Sequence, residues 1–227
     1  MTIFTLKIIA IITMLLDHVK YAIPATNNIV TMYIGRISYP LFAFILVEGF
    51  LHTSSKKKYM LRLFIFAIIS EIPFLFLRRM INIENWKMLN VMFTLLFGFI
   101  GISIIDKMNN KYIGLFIAIC IAAIGKYLKV DYGWYGISLI YIFYIFRDKK
   151  VCYLPAMLLL CSIYYFSVIK FQMFQVKYYI EILIACTSFI FIYFYNGIKG
   201  RSMKYVFYIF YPVHMLILYL INSFIIQ

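Results

Sequence analysis

Residues 7–19 read KIIAIITMLLDHV. The first ten positions form an apolar helical run, and Asp17 and His18 then stand side by side before the run closes. An acid and an imidazole are costly to hold in apolar surroundings, so the stretch raises two linked questions. One is what medium the helix sits in, and the other is what the two polar groups face. Composition answers the first. Soluble domains are about 45–50% apolar and about 25% charged, whereas this chain is 65% hydrophobic and 13% charged. Apolar runs long enough to cross a bilayer as helix, roughly 17–25 residues, recur along its length. The sequence therefore predicts an all-α, polytopic integral membrane helix bundle forming a single domain over residues 1–227.

Loop signals divide the chain into nine expected spans. They cover residues 5–23, 29–51, 58–77, 88–105, 112–128, a shorter segment from KVDYGWYG to 146, then 151–169, 178–195 and 205–225. The sixth is short enough to be re-entrant, which keeps eight spans open, and ten is the other alternative. The first run lacks a basic leader and is followed by further spans, so it is expected to stay as a membrane helix rather than be cleaved.

The formal charge of +14 comes from Lys and Arg scattered through short loops, with Lys56, Lys57 and Lys58 the single run. That pattern suits membrane lipid headgroups and topology signals, and it argues against nucleic acid as a partner. With the N-terminus cytoplasmic, thirteen basic residues fall on the inner side and eight on the outer. The chain is thus placed in the plasma membrane, as a multi-pass protein with its N-terminus inside. Its richness in Ile, Lys, Asn, Tyr and Phe points to a bacterial cytoplasmic membrane. Cys120, Cys152, Cys161 and Cys186 stand singly, which predicts packing roles and no metal site. A homo-oligomer is compatible with the sequence.

Ionisable residues inside spans usually face the bundle interior and mark a pathway or a site. At about 1.5 Å per helical residue, His18, Glu71 and Arg36 all fall roughly 20 Å from the cytoplasmic side, and His214 about 14 Å in. The loop carrying Asp131 lies beyond that level. Lys7 and His18 are eleven residues apart, about 20° apart in azimuth and about 16 Å in depth. One helix face thus carries a cation at the cytoplasmic edge and an imidazole deep inside, a geometry suited to a long anionic molecule. Plainer roles compete for each residue. Asp17 and Arg36 can form a buried ion pair, Lys7 can snorkel to the interface, His214 can serve as a helix contact, and Glu48 lies near the end of its span. Gly98 and Gly101 read as sites of close helix approach.

Several stretches resemble the TraX family, membrane proteins named for acetylation of conjugative pilin. They are LKIIAIITMLLDHV, IGRISYPLFAFILVEGFLHT and RLFIFAIISEIPF, followed by NVMFTLLFG, DYGWYGI, NGIKG and KYVFYIFYPVH. TraX proteins are similar to a broader group of transmembrane acyltransferases that use acyl-CoA. One of those groups carries a basic residue, ten intervening residues and an essential histidine in its first helix, the spacing of Lys7 and His18.

The resemblance implies an acyl-CoA-dependent acetyltransferase with acetyl-CoA as co-substrate, entering from the cytoplasm, and His18 as general base. Lys7, with Glu48 nearby, is then expected on the acetyl-CoA side. Arg36 supports the developing oxyanion or pairs with an acid. Asp17 points about 100° away from His18, so Glu71 is the better candidate to orient the ring. His214, Tyr211 and Asp131 line the acceptor side, where a peptide or pilin N-terminus, a cell-surface glycan or a small molecule would be modified. Two other classes stay open: a transporter or flippase with charges gathered near mid-depth, and a noncatalytic assembly partner of a pilus or secretion system.

Overall fold

The computed structural model describes residues 1–23, 26, 29–80, 88–169, 176–202 and 204–225. Much of the first expected turn, Lys87 of the third loop and Lys170 lie outside the described residues. Among the described residues the chain is helical, with one isolated backbone bridge and no strand. In chain order the helices are α1 (Ile3–Ala22), α2 (Ile29–Ile34), α3 (Ser38–His52), α4 (Lys56–Met80), α5 (Val91–Lys107) and α6 (Lys111–Tyr127). They continue as α7 (Gly133–Ile145), α8 (Tyr153–Ile169), α9 (Val176–Tyr193) and α10 (Lys204–Ile225). Three are long and apolar enough to cross a membrane: residues 56–79, 150–167 and 205–224.

The outer surface is apolar. Leu61, Phe64, Ile65, Ile68, Ile69 and Ile72 on α4 are exposed, as are Ile209, Val213, Ile217 and Phe224 on α10. A soluble monomer seldom carries apolar patches on this scale.

The segment expected as one span over 29–51 is interrupted. A turn of 3-10 helix at Gly35–Ile37 separates α2 from α3. Two residues account for the break. Gly35 lies against the Asp17 side chain, and a Cβ there would collide with it. Pro40 falls in the first turn of α3, where a missing N–H costs no helical hydrogen bond. Ser38 secures the junction by donating its hydroxyl to the Ala10 carbonyl of α1 at 3.0 Å.

α7 has only 13 residues, about 20 Å of helix. It is short because it is internal. Tyr135, Ile137, Leu139, Ile140, Tyr141, Phe143 and Tyr144 are all buried, and α3, α5, α6 and α8 pack around it. Its entrance is a tight loop, with Lys129 and Tyr132 at φ 54° and 60°. That loop is stitched to the start of α5. Leu89 donates its N–H to the Lys129 carbonyl at 3.2 Å and accepts from the Asp131 N–H at 2.8 Å. The buried Thr94 hydroxyl donates to the Asp131 carbonyl.

Gly101 lets α5 meet α7. A Cβ at that position would strike the Tyr141 ring, which is held in place by donation of its hydroxyl to the Ala118 carbonyl at 3.0 Å. Gly101→Ala is therefore expected to destabilise the bundle by about 1–3 kcal/mol, the usual cost of overpacking a tight core. The change should appear as a lower melting temperature in detergent. An unchanged value would contradict the close α5–α7 contact.

Candidate functional site

The seam between α1 and α10 is tied at three levels. The Lys7 ammonium sits 4.8 Å from the centroid of the Phe207 ring. Deeper in, His18 Nδ1 and His214 Nε2 are 2.8 Å apart. At the far end Asn222 donates its side-chain amide to the Ala22 carbonyl at 3.0 Å.

The histidine pair fixes its own protons. His214 Nδ1 lies 2.8 Å from the Phe210 carbonyl. A carbonyl only accepts, so that nitrogen carries hydrogen. With both rings neutral, His214 Nε2 must then accept, and His18 Nδ1 donates to it. His18 Nε2 is left with a free lone pair. A carbonyl and a second imidazole thus do for His18 what a carboxylate does in other base-orienting arrangements, which is to hold the ring in one tautomer.

His18 lines a cavity of about 300 Å³ at the end of the bundle where α1, α4 and α6 finish and α3, α5 and α7 begin. Asp17, Arg36, Arg78, Asp131, Tyr132 and Tyr211 line it too, with Tyr39 stacked on Tyr132 at a ring separation of 4.0 Å. The structure therefore brings together Asp17, His18, Arg36, Tyr211 and Asp131, with His214 directly behind His18.

Lys7, Glu48 and Glu71 do not line the cavity, Lys7 and Glu48 standing at the other end of the bundle as their positions in the spans predict, and two expected pairings differ. Glu71 does not orient His18. It accepts from the Asn90 side-chain amide at 2.6 Å and from the Asn90 backbone N–H at 3.3 Å. Asn90 in turn caps α5 by accepting the Met92 N–H at 2.9 Å, so Glu71 is a clamp between α4 and α5. Glu48 accepts the Tyr195 hydroxyl at 3.0 Å and lies 3.7 Å from His52, about 15 Å along α3 from the cavity. Lys7 is likewise about 16 Å of helix away from it.

Asp17 and Arg36 do not pair with each other. Asp17 takes Lys20 at 2.5 Å, one turn along its own helix. Arg36 Nε lies 3.4 Å from Glu181 of α9, whose other contact is the Tyr165 hydroxyl at 2.6 Å. A carboxylate on the same helix or already facing the guanidinium wins over one whose direction along the chain is wrong.

Arg78, Glu181, Lys20 and Tyr39 are site residues that sequence reasoning passed over. Arg78 falls one residue beyond the expected span 58–77. It lies seven residues beyond Glu71, two helical turns, and so about 20° from the same face. Glu181 stands in an apolar run, VKYYIEILIA, and meets the criterion already applied to Glu71.

Asp131 sits in the α6–α7 loop and accepts the Tyr132 N–H at 3.0 Å. Burial raises its carboxyl to about 6, and the nearby charge of Asp17 acts in the same direction. The Tyr132 N–H, Arg78 and Arg36 oppose the shift.

These features define a class first: a helical bundle whose interior holds a polar cavity with an oriented imidazole base, built on the seam of its first and last helices. Residues 3–222 match the TraX protein family, and the chain belongs to it. It is 30% identical to the protein described as probable fimbrial assembly protein FimC, serogroup H1, of Dichelobacter nodosus. That match runs over 234 residues, covering 95% of this chain and 93% of the relative. No solved structure matches.

A carboxyl whose pKa is raised in the folded state binds its proton more tightly there than in the unfolded chain. Its contribution to stability is full at low pH and is lost as pH rises through about 6. The melting temperature of Asp131→Asn relative to the wild type is therefore expected to climb by a few degrees between pH 4.5 and pH 7.5. A gap independent of pH would show that Asp131 titrates like a solvated acid.

Proposed function

We propose that the chain is a membrane acyltransferase that moves an acetyl group from acetyl-CoA to an amine or hydroxyl acceptor, with His18 as the general base. The observation that carries this proposal is the chain of hydrogen bonds from His18 through His214 to the Phe210 carbonyl, beside a polar cavity. Membership in the TraX family supports the same class of chemistry through the activity that the resemblance implies.

In the proposed step, the acceptor N–H or O–H gives its proton to His18 Nε2 as the nucleophile attacks the thioester carbonyl carbon. The positive charge that forms on His18 is shared with His214, because the proton between the rings can move to His214 Nε2. Arg36, held at the cavity by Glu181, faces the developing oxyanion. The tetrahedral intermediate then breaks its C–S bond, and the departing thiolate takes the proton from His18. General-base assistance of this kind contributes about 10²–10⁴-fold.

The accompanying topology is nine spans, with α2 and α3 together forming the second, in a bacterial cytoplasmic membrane with the N-terminus inside. The cavity then lies toward the outer face and Lys7 toward the cytoplasm. Acetyl-CoA would place its phosphates near Lys7 and run its pantetheine arm along the α1–α10 seam, while the acceptor enters from outside. The similarity to a probable fimbrial assembly protein favours a second reading, a noncatalytic partner in fimbrial assembly.

Transfer or slow hydrolysis of acetyl-CoA labelled in its acetyl group, measured with the protein in nanodiscs, separates these readings. His18→Ala is expected to lose about 10²–10⁴-fold in rate. His214→Gln keeps an acceptor for the His18 N–H and should retain more activity than His214→Ala. A folded wild type without turnover, or a His18→Ala variant as active as the wild type, would sink the catalytic reading in favour of assembly. Movement of an acceptor across the membrane without its modification would favour a carrier.

A further inference from the structure

Among the described residues that line the cavity, Asp17 and Arg36 are in ion pairs, whereas Asp131 and Arg78 are in none, although each feels the other's charge. Asp17 holds Lys20, and Arg36 faces Glu181. Arg78 is 5% exposed, and both of its terminal guanidinium nitrogens are buried without a hydrogen-bond partner. Phe74, one turn back on α4, has its ring centroid 5.5 Å from the guanidinium carbon. The hydroxyl of Tyr39, a residue 2% exposed, is likewise buried without a partner. Both residues line the same cavity as His18. A desolvated guanidinium with both terminal nitrogens idle is expensive. A carboxylate or phosphate is the group whose two oxygens match that fork.

We propose that Arg78 and Tyr39 form an oxyanion-binding pocket that receives a carboxylate or phosphate carried by the acceptor, close to the amine or hydroxyl it presents to His18. This rests on the acyltransferase reading for the role of His18, but the anion site itself does not. The cavity volume, about 300 Å³, sets the scale. It suits a single small acceptor or the terminal unit of a longer chain. Phosphate of acetyl-CoA and phosphate of a lipid headgroup offer the same chemistry. The acceptor is favoured because α1, α3, α4 and the α6–α7 loop enclose the pocket at the end of the bundle opposite Lys7.

The test uses the full chain in lipid-free detergent, with inorganic phosphate and acetate as probes, and reads the rise in melting temperature as each anion is titrated. Saturable stabilisation of the wild type is expected, about tenfold or more weaker in Arg78→Gln and weakened in Tyr39→Phe. Arg78→Lys keeps the charge but loses the fork, so it should fall between; it also serves if the Gln variant does not fold. An Arg78→Lys variant equal to wild type would overturn the two-point contact. No stabilisation of the wild type, or equal stabilisation of Arg78→Gln and Tyr39→Phe, would overturn the pocket. Repeating the titration with saturating CoA or with added phosphatidylglycerol assigns the source. Undiminished anion binding supports the acceptor, and competition by either overturns that assignment in favour of CoA or lipid. Because no acetyl transfer is read, failure here and failure of the catalytic reading are independent results.

Discussion

A hydrogen bond between two imidazoles 196 residues apart in sequence joins the first helix to the last, and much of the interior is arranged around it. In apolar surroundings each ring needs a partner for its polar atoms, because an unmet donor or acceptor there costs more than a hydrogen bond gains. The Phe210 carbonyl starts the chain of donors and His18 ends it. Arg78 and Tyr39 apart, the same rule governs the other polar residues near the cavity. Asp17 uses Lys20, Arg36 uses Glu181, Glu71 uses Asn90, and the Asp131 backbone is held by Thr94 and Leu89. Pairing of this kind sets the charge inside the bundle before any ligand arrives.

The interruption between α2 and α3 belongs to the same arrangement. Had α2 and α3 been one straight helix with a side chain at position 35, Asp17 would be displaced from its place beside Lys20. Glycine at 35, the 3-10 turn and Pro40 together bring the backbone against α1 and deliver Arg36 to the cavity wall. The loop before α7 does the equivalent work for Asp131 and Tyr132. There the bridge to Leu89, rather than a helix, supplies the backbone partners.

Which polar residues gather at the cavity was largely legible in the sequence, and who meets whom was not. An acid, a base or a guanidinium inside an apolar run identifies itself, as Asp17, His18, Arg36 and His214 do, and Asp131 stands out as an acid in the short loop beyond them. Depth along each helix is legible too, from the fixed rise per residue. Azimuth against a neighbour is not, because it depends on which helices pack together across large sequence separations. Glu71 illustrates this. At the right depth for His18, it faces α5 and is consumed by Asn90. Arg78 was missed for a different reason, since a basic residue near a helix end looks like a topology signal until its face is followed down from Glu71. The break at 35–37 was written in GRISYP, but its cause, contact with Asp17, is long-range.

The helical seam that carries the base has a bearing on how the protein is made. Chains leave the ribosome N-terminus first, at about 5–20 residues per second. α1 therefore enters the membrane long before α10 exists. Through that interval His18 lacks the imidazole that fixes its tautomer, and Lys7 lacks the Phe207 ring. The pair of imidazoles comes into being only with the last helix, so docking of α10 is the step that distinguishes a finished molecule from a nascent one.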